Sequence, residues 1–237
     1  MTRNSDRWLD LLGLATLVFI VVGLYMAFLY AQTEVNMGLV YRIFFFHFGA
    51  IAAGMVAVII VGVASVGYLR TSARAWDRVA EAAAEIGVVF SIVGLITGSI
   101  WARPIWGVWW TWDPRLTTTA VLLLIYLGYL AIRRISDNPM RTARWCAVVG
   151  IVGFVDVPIV HLSVVWWRSL HQGPTVIRLG GPEIHGTMLL ALLVWVGAFT
   201  LVYAYLMTLR LRVGRLEERA AREALSPLIG SLVEAEP

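Results

Sequence analysis

Phe48-Gly-Ala-Ile-Ala-Ala-Gly-Met-Val-Ala-Val-Ile-Ile-Val-Gly-Val-Ala-Ser-Val-Gly-Tyr-Leu69 contains no charged residue. A helix of that length covers roughly 33 Å at 1.5 Å per residue, enough for a hydrocarbon layer of about 30 Å. Backbone groups in lipid must find their partners within the spanning structure, so only a helix or a closed barrel is allowed. The period-two alternation of barrel strands is absent. Five other apolar runs repeat the pattern: Trp8–Ala31, Val79–Ile100, Leu116–Ile132, Trp145–Val165 and Thr187–Leu209. The 237 residues are 59% hydrophobic and 14% charged, more apolar surface than a small water-soluble core can hide. The expected fold is all-α, a polytopic membrane protein of six transmembrane helices. It forms one domain over 1–237, with a C-terminal tail over 210–237.

The positive charges set the orientation. All 19 basic residues are Arg, which excludes a phosphate-loop lysine and a Schiff-base lysine. They collect at the ends of apolar segments, where they act as topology signals rather than as a surface for nucleic acid. Fourteen belong to the N-terminus (Arg3, Arg7), the second loop (Arg70, Arg74, Arg78), the fourth loop (Arg133, Arg134, Arg141, Arg144) and the tail (Arg210, Arg212, Arg215, Arg219, Arg222). The other three loops hold five: Arg42, Arg103, Arg115, Arg168 and Arg178. The positive-inside rule then places both termini in the cytoplasm and loops 32–47, 101–115 and 166–186 outside.

The remaining features are plainer. The single Cys, Cys146, leaves no internal disulfide and reads as a small buried side chain. The first apolar run has no clear small-residue cleavage site after it and is read as an uncleaved span. The tail from Arg210 to Leu225 is expected to continue the last helix until Ser226-Pro227 stops it. Glu81 and Glu85 are expected to pair with Arg74 or Arg78. Asp156, about 18 Å along the fifth helix from Arg144, is a carboxylate deep in the bilayer with either a functional or a structural role. No internal repeat is present.

The outer face carries the chemistry. Trp106-Gly-Val-Trp-Trp-Thr-Trp-Asp-Pro-Arg-Leu-Thr117, with Trp101 just before it, puts five of the chain's 11 Trp into a short stretch between two spans. An aromatic belt places a Trp or two at each helix end, so this density marks a flat apolar surface. His47 follows Tyr41-Arg-Ile-Phe-Phe-Phe46 at the outer mouth of the second span. His171 lies beside the turn Gln172-Gly-Pro174. His161 and His185 fall on the same side. Two neutral imidazoles from opposite sides can ligate one metal in a flat ring, haem above all. Arg42, Arg115 and Arg168 stand nearby to pair with anionic substituents. Asp113, before Pro114, can cap the fourth helix or bind Arg115 or an indole N–H.

At these residues the chain resembles a known family. The Trp106–Thr117 stretch resembles the tryptophan-rich signature of the haem-handling proteins of cytochrome c assembly. Ser163-Val-Val-Trp-Trp-Arg-Ser-Leu-His-Gln-Gly-Pro174 and Tyr41-Arg-Ile-Phe-Phe-Phe-His47 are similar to the two histidine segments of the CcmC family. Over roughly residues 8–210, six spans and about 240 residues fit CcmC rather than its longer relatives. After His47 the chain departs from the family pattern, reading Phe48-Gly-Ala-Ile51. The resemblance implies a haem-delivery subunit of a bacterial inner membrane, not an enzyme, holding haem b. His47 and His171 would be axial ligands. Trp106, Trp109, Trp110, Trp112 and Asp113 would form the platform, and Arg42 and Arg115 the propionate contacts. Implied partners are the periplasmic chaperone CcmE, the small subunit CcmD and the ATPase complex CcmA–CcmB. The alternatives are a haem lyase of the cytochrome c synthetase type and a haem-conducting channel.

Overall fold

The computed structural model describes residues 3–136, 138–171, 173, 176 and 180–234. Gln172, Pro174 and Arg178 therefore lie outside the described residues. The chain builds six long helices: α1 (Arg3–Tyr25), α2 (Ile43–Thr71), α3 (Arg74–Trp106), α4 (Pro114–Ile135), α5 (Pro139–Trp166) and α6 (Gly186–Glu234). All six are long and apolar enough to cross a membrane, and no strand occurs among the described residues. The protein is multi-pass, as its apolar runs predict.

Small residues decide which helices sit in the middle. Gly49, Ala50, Ala53, Gly54, Ala57, Gly62, Ala64 and Ser65 are buried along α2, and Ala80, Ala82, Ala83, Ala84 and Gly87 along α3. Helices in lipid gain little from the hydrophobic effect on meeting each other; close backbone approach over small side chains holds them instead. Accordingly α2 packs mainly on α3 and also meets α5 and α6, while α4 lies on α5 and α1 on α6. Cys146 is fully buried in the second core cluster, with Tyr126 and Tyr129.

Three local endings differ from the apolar runs, and each has a backbone reason. First, α3 continues through Trp101, Arg103 and Pro104 to Trp106, so only residues 107–113 form the loop. The helix closes where Gly107 turns left-handed (φ 77°) and its N–H reaches the Arg103 carbonyl at 3.0 Å. That is a glycine termination, and Cβ would strain it. Second, α1 ends in a π turn, Met26–Tyr30, with the Ala31 N–H on the Met26 carbonyl at 2.8 Å. The wider turn leaves the Ala27 carbonyl to accept from the Arg42 guanidinium. Third, Ser226-Pro227 does not stop α6, which runs on to Glu234. One proline removes a single N–H donor, and the Arg-, Glu-, Ala- and Leu-rich neighbours are good helix formers.

The connectivity gives the bundle two ends. Loops 31–42 and 107–113 and the segment 167–171 share one, the tryptophan-rich end. The other, arginine-rich end holds the start of α1, the end of α6, the turn at 72–73 and the junction of α4 with α5. There the expected pairing of Glu81 and Glu85 with Arg74 or Arg78 gives way to contacts between helices. Arg133 of α4 bonds the Asp77 carboxylate and lies 3.6 Å from Glu81. Arg210 of α6 bonds Glu85, and Arg78 bonds Glu218. Helical neighbours three or four apart stay on the surface of one helix, whereas these contacts tie α3 to α4 and α6.

Candidate functional site

The site begins with Asp113. It is the N-cap of α4, its Oδ1 accepting the Arg115 N–H at 3.0 Å, and Pro114 occupies the first helical position, where no N–H is missed. Capping uses part of one carboxylate, and the rest reaches across to the segment after α5. Oδ2 accepts from the Ser169 hydroxyl and the Leu170 N–H, both at 2.7 Å, and Oδ1 lies 2.9 Å from Nδ1 of His171. Only 2% of the Asp113 side chain is exposed. A carboxylate buried with four donors is stabilised as the anion. Burial alone would raise its pKa. The Ser169 and Leu170 bonds, the His171 charge and the Arg115 N–H outweigh burial and hold it below the ordinary carboxylate value. Asp113 is thus both cap and tether, joining the tryptophan loop to the His171 segment.

An anionic acceptor at Nδ1 fixes the tautomer of His171. The ring donates Nδ1–H and leaves the Nε2 lone pair unprotonated. Burial lowers the imidazole pKa, and the Asp113 carboxylate, pulling the other way, does not reverse it. The ring is neutral at pH 7. Trp106 meets it edge-on, with ring centroids 4.8 Å apart.

His47 sits one turn inside α2 and is held differently. Its Nδ1 lies 2.9 Å from the Thr97 hydroxyl of α3. That hydroxyl also lies 2.7 Å from the Val93 carbonyl, an acceptor, so its single proton belongs there. With its proton there, the Thr97 oxygen is left to accept from His47, which assigns the proton to Nδ1 and the lone pair to Nε2. Gly98 makes the approach feasible, since a Cβ there would stand 3.1 Å from His47 Cε1. Trp101 tilts against the ring at 5.9 Å.

The Arg115 guanidinium, a like charge, adds to the burial that disfavours the imidazolium at His171. Arg115 also donates to the His161 carbonyl at 3.4 Å. Arg42 is turned toward Ala27 of the first span. His185 bonds the Thr187 hydroxyl at the start of α6. Among the described residues, no three His, Cys, Asp or Glu side chains cluster as a metal cage. A two-histidine axial arrangement needs none.

The aromatic surface divides in two. Trp101 and Trp106 are partly buried on α3 beside the histidines, whereas Trp109 and Trp112 are 58% and 82% exposed. Trp110 meets Trp112 edge-on. Trp166 and Trp167 at the end of α5 form a second exposed pair. An open hollow between the loop and the post-α5 segment is lined by Thr111, Trp112, Asp113, Pro114, Arg168, Ser169 and Leu170. Three buried polar atoms at this end have no hydrogen-bond partner: Trp101 Nε1, Thr111 Oγ1 and Thr117 Oγ1. Buried donors left open mark places where another molecule completes the bonding. Two bare imidazole nitrogens, indole walls, a guanidinium and open donors together suit a flat, metal-bearing, anionic ring.

Sequence reasoning singled out both histidines, the loop and Arg115. It missed Thr97, Ser169 and the bond from Asp113 to His171. The acid next to the loop was a visible signal for Asp113. Nothing local announces Thr97, because its partner is 50 residues away in the chain.

The family model described as Heme exporter protein C matches residues 1–226. The chain is 39% identical to Heme exporter protein C of Bradyrhizobium diazoefficiens over 96% of this chain and 89% of that protein. It is 32% identical to Heme exporter protein C of Haemophilus influenzae, covering 97% and 94% of the two chains. A ccmC-like mitochondrial protein of cytochrome c biosynthesis from Marchantia polymorpha is 32% identical over 75% of each chain.

Proposed function

The chain belongs to the Heme exporter protein C family, and on that premise we propose that it holds haem for delivery during cytochrome c maturation. Haem is its cargo. His47 and His171 ligate the iron through Nε2 from opposite sides. Trp106 lines the ring next to His171, and exposed Trp109 and Trp112, with half-buried Trp110 against Trp112, offer the surface on which a receiving protein settles. Arg115 pairs with the propionates through charge-assisted bonds, and Arg42 joins it once its guanidinium leaves the Ala27 carbonyl. Asp113 holds the His171 segment against the loop. The observation that carries this reading is the matched state of the two imidazoles, each with Nδ1 committed to an acceptor and Nε2 bare.

Orientation follows from the Arg distribution. Both termini are cytoplasmic, and the tryptophan-rich end faces the outside of a bacterial inner membrane, the periplasm. The receiving protein is a CcmE-like periplasmic haem chaperone. A CcmD-like small membrane subunit and a CcmA–CcmB ATPase complex are its further partners. ATP hydrolysis by the phosphate-loop route falls to that complex, because this chain has no lysine for such a loop.

The test is an optical spectrum of the detergent-purified protein beside His47→Ala/His171→Ala. A Soret band in the wild type, absent or shifted in the double variant, is the expected result. An identical band in both would remove the ligand assignment.

A further inference from the structure

The two histidines are held by unequal partners. His171 donates to an anionic carboxylate that is itself buried and fixed by three other donors. His47 donates to a neutral hydroxyl whose own proton is committed to the Val93 carbonyl. Outer partners of this kind do more than orient a ring. A carboxylate on Nδ1–H gives the imidazole partial imidazolate character and raises its basicity at Nε2, and a hydroxyl does so much less. The surroundings are unequal too. His171 is pinned by a network that spans the loop, α4 and the post-α5 segment. His47 rests on uncharged groups of one neighbouring helix, the Thr97 hydroxyl, the Gly94 carbonyl and the Trp101 ring, beside Gly98, where no Cβ fills the space.

We infer that Thr97 is the positioning residue of His47, and that its neutral hydroxyl, set against the carboxylate at His171, makes His47 the weaker of the two haem ligands. It is the one that yields to a ligand supplied by the recipient. The step is a ligand substitution. The iron–Nε2 bond of His47 breaks with its electron pair returning to the imidazole, a donor nitrogen of the recipient forms the new bond, and no electron is transferred to or from the iron. His171 and Asp113 meanwhile keep the ring on the platform. A hydroxyl is strong enough to select the tautomer and weak enough to leave that bond exchangeable. This inference rests on the two-histidine reading above.

The experiment measures cyanide entry into the haem-loaded ferric protein, whose rate is set by dissociation of the weaker ligand. It compares the wild type, Thr97→Val and Thr97→Ser. Thr97→Val keeps the shape of the side chain but removes the acceptor, and it is expected to speed entry about 10-fold, the lower end of what losing an outer-shell partner does to a metal ligand. Thr97→Ser keeps the hydroxyl and is expected to stay within about 2-fold of wild type. A wild-type rate in Thr97→Val overturns the inference, as does a Thr97→Ser protein that behaves like Thr97→Val. If Thr97→Val retains no haem while Thr97→Ser does, the positioning role stands. His47→Ala/His171→Ala in the same series separates the two readings. If its spectrum matches wild type, the histidine assignment itself has failed. If its band is lost while Thr97→Val is silent, only the role of Thr97 has.

Discussion

The two ends of the bundle use polar side chains in opposite ways. At the arginine-rich end, charges meet charges: Arg133 with Asp77 and Glu81, Arg210 with Glu85, Arg78 with Glu218. Among the described polar atoms there, only Arg133 Nε is buried without a partner. The network closes on itself and ties three helices together. At the tryptophan-rich end, the carboxylate of Asp113 and the hydroxyl of Thr97 hold the histidines by one nitrogen each and leave the other free. Three buried donors stand open beside them. A closed network serves the fold, since every bond it makes is internal. An open one serves a ligand, since its unmet capacity is the binding energy.

That contrast can be broken from either end. The largest effect is expected at Asp113. Asp113→Asn keeps a capping oxygen but loses the charge on His171 and sets an amide N–H against the Leu170 N–H, so haem affinity should fall up to about 100-fold, with a loss of thermal stability of about 1–3 kcal/mol. Titrating haem into the purified variant measures it, and a wild-type affinity would show that the carboxylate only caps α4. Asp77→Ala, at the other end, strands the Arg133 guanidinium, whose side chain is only 11% exposed. Leaving a buried charge uncompensated destabilises by about 3 kcal/mol, the low end of the usual range because Glu81 still faces it. Thermal unfolding in detergent should drop while the haem spectrum stays as in wild type. A changed spectrum would mean the two ends are coupled.

The smallest effect is that of pH on the haem-free protein. The lowered pKa of His171 means that the detached segment binds a proton more readily than the docked one does. Docking is therefore complete above the ordinary histidine value of about 6.5 and weakens as pH falls below it. Asp113, whose pKa is also lowered, acts in the same direction. Its contribution is present above about 3.9 and is lost as pH falls through its lower folded value. Tryptophan fluorescence of the loop should stay constant from pH 8 to about 6.5 and change progressively below that. Loosening on the alkaline side instead would mean that the docked His171 is held as the imidazolium against Asp113.

How much was legible from the sequence differs between the two ends. Six spans could be read from six apolar runs, because crossing lipid is a requirement on each segment separately. The tryptophan density and the two histidines at the same end were legible for a similar reason: composition and position relative to a span are local. The helical position of Trp101 and Trp106 was not, since a helix that passes a proline near its end looks like a loop until its termination at Gly107 is seen. Nor did local spacing reveal that Glu81 and Glu85 answer to Arg133 and Arg210 on other helices.

The sequence by itself determined that this protein spans a membrane six times, which groups lie at each end, and the family signature in its loops. Each of these follows from the chemistry of short stretches against lipid and water. The tertiary structure alone decided what holds each imidazole. The packing of α2 on α3 sets Thr97 against His47, and the docking of the post-α5 segment on the cap of α4 sets Asp113 against His171. A hydrogen bond joining residues 50 or more positions apart exists only when the helices carrying them are brought together, and which nitrogen of a histidine is left free depends on that bond.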